Sequence, residues 1–181
     1  MRFKKTENEL ETRLRPILRY AQKVTLIDPY MTCREDRFFN TVQHCAASLG
    51  KHDGAQHPGI IHIHTGDPRN DPRRDHRESV ADRLDKWEVE LKPVASHFGH
   101  TFRVSLWANR TGRENFHDRY IVTDQCGIDA RGGLDFLDDE TRANISGWTW
   151  LEPDEVRKIL LDEFHHAKSP YRYLDSRAIA P

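Results

Sequence analysis

The stretch Phe116-His117-Asp118-Arg119-Tyr120-Ile121-Val122-Thr123-Asp124 carries most of the information about fold and chemistry. Its β-branched and aromatic residues predict a strand over His117–Asp124. Because side chains alternate along a strand, His117 and Arg119 are expected on one face. A guanidinium grips phosphate oxygens in a bidentate fork, and an imidazole can attack phosphorus or move a proton. The stretch therefore indicates a phosphate site on a strand.

The elements on either side of this stretch predict the remainder of the fold. Further strands are expected at Val24–Ile27, Ile60–Thr65, Phe102–Leu106 and 144–151, with a Gly-broken strand pair or turn at 128–136. Amphipathic spacing predicts helices near 6–21, 35–49 and 80–98, and a last one beginning at Pro153. Strands that alternate with helices indicate an α/β fold with a mixed, mainly parallel sheet and helices on both faces.

Candidate ligand-binding residues follow from this architecture. In open α/β sheets ligands meet the carboxyl ends of strands, which here carry Asp28-Pro29-Tyr30 and His64-Thr65-Gly66. Arg131-Gly132-Gly133 follows the His117 strand, and its glycines would let backbone N–H groups approach an anion. Asp28 has an alternative role, which we favour, in an Asx-turn before Pro29, and Tyr30 has one in the core.

Composition limits the classes of protein that fit. The 181 residues suit one domain, divided by pattern into an N-terminal helical arm (1–21), the main domain (22–168) and a C-terminal tail (169–181). The net charge of −1 argues against coating nucleic acid or membranes through bulk charge. Three cysteines without CxxC spacing argue against a disulfide framework. With no apolar run of membrane length and no secretory h-region, a cytoplasmic protein is expected.

Several conspicuous residues have simpler interpretations. His62 and His64 form an H-x-H pattern, but no third ligand has suitable spacing, so neither a metal nor another cofactor is predicted. One of the two would pack in the sheet and the other would line the site. Trp148 and Trp150 are expected in the core, with an exposed partner surface as the alternative. Cys126 is expected to behave as a small buried hydrophobe.

The motif H-x-R-x4-D, from His117 to Asp124, resembles the H-x-K-x4-D signature of the phospholipase D superfamily, with arginine in place of lysine. The similarity is greatest to one branch, the phospholipase-D-like C-terminal domain of MIT-domain-containing proteins. The branch's blocks occur in order over roughly residues 20–168: Asp28-Pro29-Tyr30, Ile61-His62-Ile63-His64-Thr65, His117-Asp118-Arg119, Arg131-Gly132-Gly133-Leu134-Asp135-Phe136 and Phe164-His165. The helical MIT domain has no counterpart in the short segment before the first predicted strand.

The resemblance implies specific roles. His117 would be the nucleophile that forms a phosphohistidine, Arg119 the phosphate clamp and Asp124 an orienting carboxylate. Further ligand-binding residues would be Asp28, Tyr30, His64, Thr65, Arg131, Gly132 and Gly133. Because superfamily enzymes bring two motif copies to one site, a chain with one copy would act as a homodimer. In the MIT-linked branch, by contrast, the domain is non-catalytic, dimerises and binds acidic phospholipid membranes.

These implications give competing functional hypotheses. The leading one is a phospholipase-D-like phosphodiesterase, a nuclease subunit acting on a phosphodiester substrate, with a partner protein in a larger assembly such as a bacterial defence system. The alternative is a catalytically degenerate module that binds acidic lipid, nucleic acid or a partner protein. A third is a purely structural subunit. The first two hypotheses both depend on the local His/Arg pocket that the sequence predicts.

Overall fold

A computed structural model describes residues 2–67, 78–110, 116–136 and 145–181 of the chain. Its helices are α1 (Glu7–Leu18), α2 (Asp36–Ser48), α3 (Val80–Phe98) and α4 (Pro153–Lys158), and α4 continues into a π-helical turn, Ile159–Glu163. In that turn the N–H of Phe164 donates to the carbonyl of Ile159 at 3.0 Å. The helices predicted from apolar spacing are therefore present.

The described residues also form eleven strands. They are β1 (Arg2–Lys4), β2 (Lys23–Ile27), β3 (Lys51–His52), β4 (Ala55–Gln56), β5 (Ile60–Gly66), β6 (Thr101–Ala108), β7 (Tyr120–Thr123), β8 (Gly127–Asp129), β9 (Ile145–Gly147), β10 (Thr149–Trp150) and β11 (Arg172–Ile179). Seven of them form one sheet in the order β10-β8-β7-β2-β5-β6-β11. The pairs β1–β9 and β3–β4 lie outside it.

The expected mixed α/β sheet is confirmed, but parallel pairing within the described residues is confined to β2, β5 and β6. The pairs β2–β7, β7–β8, β8–β10 and β6–β11 are antiparallel. A mainly parallel sheet was expected because strands and helices alternate in the first half of the chain. The second half behaves differently, since the short link between Thr123 and Gly127 allows only a hairpin.

Alternation along the strands divides the core into two layers. Val24, Leu26 and Ile63 belong to the cluster that α1, α2 and α3 cover. Ile27 and Trp107 point to the opposite face, where the π-helical turn covers them together with Phe116, Phe164 and Tyr171. Helices on both faces are therefore confirmed, and the last helical segment covers the second face.

Local capping explains where two helices begin. The hydroxyl of Thr6 accepts from the N–H of Glu9 at 3.3 Å, as its capping-box spacing predicts. Ser79 and Asp82 form a reciprocal capping box at the start of α3, and Gly99 ends that helix with a left-handed φ of 73°. These caps fix the start of α1 and both ends of α3.

The strand expected over His117–Asp124 is shorter than predicted and begins only at Tyr120. Tyr120 pairs with Ile27, the last residue of β2, because Asp28-Pro29 leaves the sheet there. Residues 117–119 therefore have no β2 partner, although the carbonyl of Arg119 still accepts from the N–H of Ala130 at 2.8 Å. The prediction of a continuous strand over this stretch was wrong.

Both chain ends contribute to the body of the fold. Residues 169–181, interpreted as a tail, contain the edge strand β11, which pairs along β6. Within 1–21, the segment Arg2–Lys4 forms β1 and pairs with β9. The single strand expected over 144–151 is divided into β9 and β10. Trp148 between them is buried, as expected, whereas 60% of Trp150 is exposed.

The predicted loop at 67–75 and turn at 109–115 lie largely outside the described residues. The loop predicted at 50–58 contains the short β3–β4 hairpin. Among the residues that the structure describes, no helix combines the length and the apolar character that crossing a membrane requires.

Candidate functional site

A polar pocket of about 390 Å³ opens at the carboxyl end of β2. The pocket is formed by residues from five parts of the chain: Lys5 before α1, the turn after β2, the start of α2, Arg119 before β7 and the segment after β8. Its lining residues are Lys5, Asp28, Tyr30, Arg37, Phe38, Arg119, Gly132, Gly133 and Asp135. The sequence rule that ligands meet strand ends therefore locates this pocket.

His117 and Arg119 both contact Tyr30. Arg119 and Tyr30 line the pocket, whereas His117 lies beside Tyr30 and is not one of the lining residues. The Nδ1 atom of His117 lies 3.0 Å from the Tyr30 hydroxyl oxygen. The guanidinium carbon of Arg119 lies 5.1 Å from the centre of the Tyr30 ring, within cation–π range. Arg119 Nη1 also donates to the carbonyl of Arg131 at 3.0 Å. The two motif residues thus share one side of the molecule, although they precede the strand in which they were expected.

The contact with Tyr30 defines what His117 can do. When His117 Nδ1–H donates to the Tyr30 oxygen, the Nε2 atom carries the lone pair of the neutral imidazole. His117 is exposed. An exposed nitrogen lone pair beside a guanidinium is suited to nucleophilic attack or proton transfer at an anionic centre.

Asp28 has a supporting position beneath this pair. One carboxylate oxygen accepts from the N–H of Tyr30 at 2.9 Å, which is the Asx-turn that we favoured from the sequence. The other accepts from the N–H of Leu134 at 3.0 Å and lies 3.7 Å from Arg119 Nε. Burial raises the pKa of Asp28, and its backbone donors and Arg119 oppose that rise. Asp28 therefore holds Tyr30 and Arg119 in place from the interior.

Three charged residues of the pocket had no predicted role: Lys5, Arg37 and Asp135. The Asp135 carboxylate contacts Lys5 Nζ, and its second oxygen accepts from Arg37 Nη1 at 3.3 Å. Lys5 Nζ also donates to the carbonyl of Gly132 at 2.8 Å. Asp135 lies in a sequence block that carries the family resemblance, so the sequence could have indicated its role. No sequence pattern indicates Lys5 or Arg37, because long-range pairing brings them to the site.

The glycines serve the pocket differently from the expected anion-binding loop. The N–H of Gly133 is already donated to the carbonyl of Ala130 at 2.8 Å. Gly133 has φ of 90°, and a Cβ there would lie only 2.7 Å from an Asp135 oxygen. At Gly132 a Cβ would lie 2.1 Å from the Ser146 hydroxyl. The two glycines therefore allow Asp135 and Ser146 to pack closely against the backbone, and the Gly133 N–H is not directed at an anion.

Asp124 is not part of the pocket. It follows β7 at the end opposite Tyr120, and its carboxylate accepts from the N–H groups of Gln22 and Lys23 at 3.2–3.4 Å. The length of β2 separates it from Asp28, about 16 Å at the usual rise per residue. The structure does not bring Asp124 to His117, because the two residues lie at opposite ends of a strand in the same sheet.

Three other predicted residues also lie away from the ligand space. The Thr65 hydroxyl donates to the carbonyl of Met31 at 2.7 Å and fixes the turn after β2. Arg131 points outward, with 89% of its side chain exposed, and pairs with Asp129. His64 is buried on the second sheet face, where its Nδ1 accepts from Trp107 Nε1–H at 2.8 Å.

The H-x-H pair is a packed cluster. The rings of His62 and His64 lie 3.9 Å apart, and His62 Nε2 is 2.9 Å from the Ser105 hydroxyl. Burial lowers the pKa of His62 to about 3 and that of His64 well below its ordinary value, so both are neutral. Among the described residues, no group of three or more His, Cys, Asp or Glu side chains has the arrangement to hold a metal ion.

Eight chains of solved protein structures match this chain, and one of them is a phospholipase D family member. The fold is similar to the crystal structure of Nuc, a phospholipase D family member from Salmonella typhimurium, with 11% identity, 92% of this chain and 89% of that chain covered, and a TM-score of 0.46. No family model and no curated protein sequence matches the chain. The narrower resemblance to the MIT-linked branch stays a prediction from the sequence.

Proposed function

We propose that this chain is a phospholipase-D-like phosphodiesterase, a nuclease subunit that acts through a phosphohistidine at His117. The observation that carries the proposal is that His117 and Arg119 both contact Tyr30, which lines a polar pocket together with Arg119. The imidazole supplies a nucleophile and the guanidinium supplies charge compensation for a phosphate. The resemblance of the ordered sequence blocks points in the same direction.

In the proposed reaction, His117 Nε2 attacks phosphorus and the bond from phosphorus to the leaving oxygen breaks. The leaving oxygen takes a proton. Water then attacks the phosphorus of the phosphohistidine, the bond from phosphorus to Nε2 breaks, and a phosphate monoester leaves; the group that gave the proton in the first step takes it back from water. Arg119 compensates the charge on the non-bridging oxygens. The proton donor would be the His117 of a second copy of the chain, so the active form would be a homodimer with one shared site.

The test is hydrolysis of bis-p-nitrophenyl phosphate, DNA and RNA in the presence of a metal chelator. We expect His117→Ala to lower the rate by about three orders of magnitude or more, since it removes the nucleophile. His166→Ala, at another exposed histidine, is the matched control and should retain wild-type activity. Equal and negligible activity of wild type and His117→Ala would refute the nuclease proposal.

A second assay tests the shared site. Wild type and His117→Ala are mixed in increasing ratios after dissociation, and sedimentation measures their assembly. If one site uses His117 of both copies, a mixed dimer is inactive, and an excess of His117→Ala lowers the activity of the wild type. Wild-type activity that stays unchanged although mixed dimers form, or a monomer that is fully active, would contradict the dimeric arrangement.

A specific observation favours the non-catalytic alternative. Asp124 lies at the far end of β7, and the pocket cations already have carboxylate neighbours in Asp28 and Asp135. A degenerate module would bind acidic ligands without hydrolysing them. Binding to vesicles of acidic lipid that weakens with salt and disappears in Arg119→Met, without any hydrolysis, would support this alternative. Participation in a defence assembly rests on analogy and would be tested by co-purification of a partner protein.

A further inference from the structure

The pocket holds a second cationic pair, Lys5 and Arg37, beside the His117–Arg119 pair. Only 5% of the Lys5 side chain is exposed, and its ammonium contacts the Asp135 carboxylate and the carbonyl of Gly132. A buried ammonium needs a counter-charge, because its removal from water is costly. The Asp135 carboxylate supplies that counter-charge, and Asp135 lines the same pocket as Arg119.

Gly133 lies between the two cationic pairs. A Cβ at Gly133 would lie 2.7 Å from an Asp135 oxygen, 3.6 Å from Lys5 Nζ and 3.7 Å from Arg119 Cδ. Lys5 Nζ and Arg119 Cδ are therefore no further apart than the sum of the last two distances. The two cationic pairs are thus close enough for one ligand with two anionic groups to contact both, and a side chain at position 133 would collide with Asp135.

We propose that Lys5 and Arg37 form a second phosphate subsite, in which the Asp135 carboxylate is the internal anion until a ligand displaces it. The inference rests on the proposed function, in which the first phosphate lies at His117 and Arg119. It names the substrate class as a nucleic-acid strand, in which the phosphate being cleaved has a phosphate neighbour. A repeated phosphate backbone supplies both anions from one molecule, and backbone contacts of this kind position a strand without reading its sequence.

The competing interpretation is a purely structural set of ion pairs, in which Lys5 pairs with Asp135 and Arg37 pairs with Glu35, to which its Nε donates at 2.8 Å. The two interpretations predict opposite signs for one variant. Asp135→Asn lowers the stability of the ligand-free protein in both cases, because Lys5 loses its counter-charge. Only in a phosphate subsite does the same change raise ligand affinity, because the phosphate no longer competes with a carboxylate.

Isothermal titration calorimetry in the His117→Ala background, which prevents cleavage, tests the subsite with two probes. One is a thymidine dinucleotide with a 5′-phosphate, which carries two phosphates, and the other lacks the 5′-phosphate. We expect the unmodified pocket to prefer the first probe by about tenfold, the size of one charge-assisted contact. Lys5→Met and Arg37→Met should reduce this preference to about twofold, and Asp135→Asn should raise affinity for the first probe severalfold.

Lys4→Met and Arg34→Met are matched controls, since both side chains are exposed neighbours outside the pocket lining. They should leave the preference unchanged. If Lys5→Met fails to fold, Arg37→Met, whose side chain is 41% exposed, carries the test. Equal affinity of the two probes, or an Asp135→Asn variant that loses stability and gains no affinity, would overturn the proposal.

Two further outcomes separate this inference from the proposed function. A preserved two-phosphate preference without hydrolysis of bis-p-nitrophenyl phosphate would refute catalysis and support the subsite. Hydrolysis without such a preference would refute the subsite alone. Binding to phosphatidylcholine vesicles that contain phosphatidylinositol bisphosphate, with no binding of either dinucleotide, would overturn the assignment to nucleic acid.

Discussion

Two pairs of side chains, each separated by one residue in the sequence, lie in opposite surroundings. His117 and Arg119 lie at the rim of a polar pocket, where Tyr30 contacts both. His62 and His64 lie on the second sheet face, beneath the last helical segment and the aromatic residues that follow it. The patterns are alike in sequence, yet one pair is open to ligands and the other is part of the packing.

The difference shows what makes a histidine available for chemistry. His64 uses Nδ1 to accept from Trp107, and burial lowers its pKa, so its neutral ring is packed into the second sheet face. His117 uses Nδ1 toward Tyr30 and keeps its other nitrogen on an exposed ring. Alternation along a strand tells which residues share a face, but the element that covers that face decides whether they can react.

The largest expected effect is the loss of stability on acidification, which sharpens this contrast. Burial lowers the folded-state pKa values of His62 and His64 below the ordinary value of 6.5. The unfolded chain therefore binds more protons below pH 6.5, and stability falls as pH falls, by about 2 kcal/mol per histidine between pH 6.5 and 5. Urea unfolding at several pH values measures this slope.

The double variant His62→Gln/His64→Gln is the reference for that slope. The raised pKa of the buried Asp28 acts in the opposite direction, and the lowered pKa of His100 acts in the same direction, in both proteins. Their contributions cancel in the difference between wild type and variant. An unchanged slope in the double variant would show that the buried pair does not control the acid response.

The next effect concerns the hydrogen bond beneath the final helix. His64→Leu leaves the buried Trp107 N–H without its acceptor, and we expect a loss of about 1–3 kcal/mol of unfolding free energy. Hydrolytic activity per folded molecule should be unchanged. Chemical denaturation and a phosphodiesterase assay on the same sample measure both quantities. A loss of activity without a loss of stability would show that His64 is a site residue and that the two histidine-containing pairs do not differ in role.

A smaller effect is expected at Asp124. Asp124→Ala removes the acceptor for the N–H groups of Gln22 and Lys23 at the start of β2, which should cost about 1 kcal/mol at this exposed position. Activity should stay near the wild-type level because Asp124 lies far from His117. A drop in activity comparable to that of His117→Ala would restore the orienting role that the motif resemblance implied.

The smallest effect on stability is expected at His117 itself. Its ring is exposed and makes one side-chain hydrogen bond within the described residues, so His117→Ala should change the unfolding free energy by no more than about 0.5 kcal/mol. Thermal unfolding of the purified variant measures this change. A large destabilisation would mean that His117 is a structural residue like His64.

Sequence periodicity was sufficient for the helices and the central strands, because each of them has a continuous apolar face. It failed where pairing depends on a distant partner. Residues 117–119 are unpaired with β2, since β2 ends at Ile27 before Asp28-Pro29. Residues 172–179 (RYLDSRAI) have no regular alternation of polar and apolar side chains, and their pairing with β6 makes them a strand.

The candidate site was predicted only in part, because some of its residues also depend on distant partners. Strand ends and the motif pointed to His117, Arg119 and Tyr30, because local order is enough to locate them. Lys5 and Arg37 could not be found in this way, since ordinary basic residues acquire a role only through tertiary contacts. The contacts that bring them in are the β1–β9 pairing and the bond from the Phe136 N–H to the Arg37 carbonyl, at 2.9 Å.

The pairing of β1 with β9 has a consequence for the order in which the protein can assemble. Lys5 is synthesised before its partners Gly132 and Asp135, which lie 127 and 130 residues further along the chain. Contacts of such long range form late and slowly, because the intervening loop must close first. Water solvates the Lys5 ammonium until then, and the pocket would be completed among the last steps of folding.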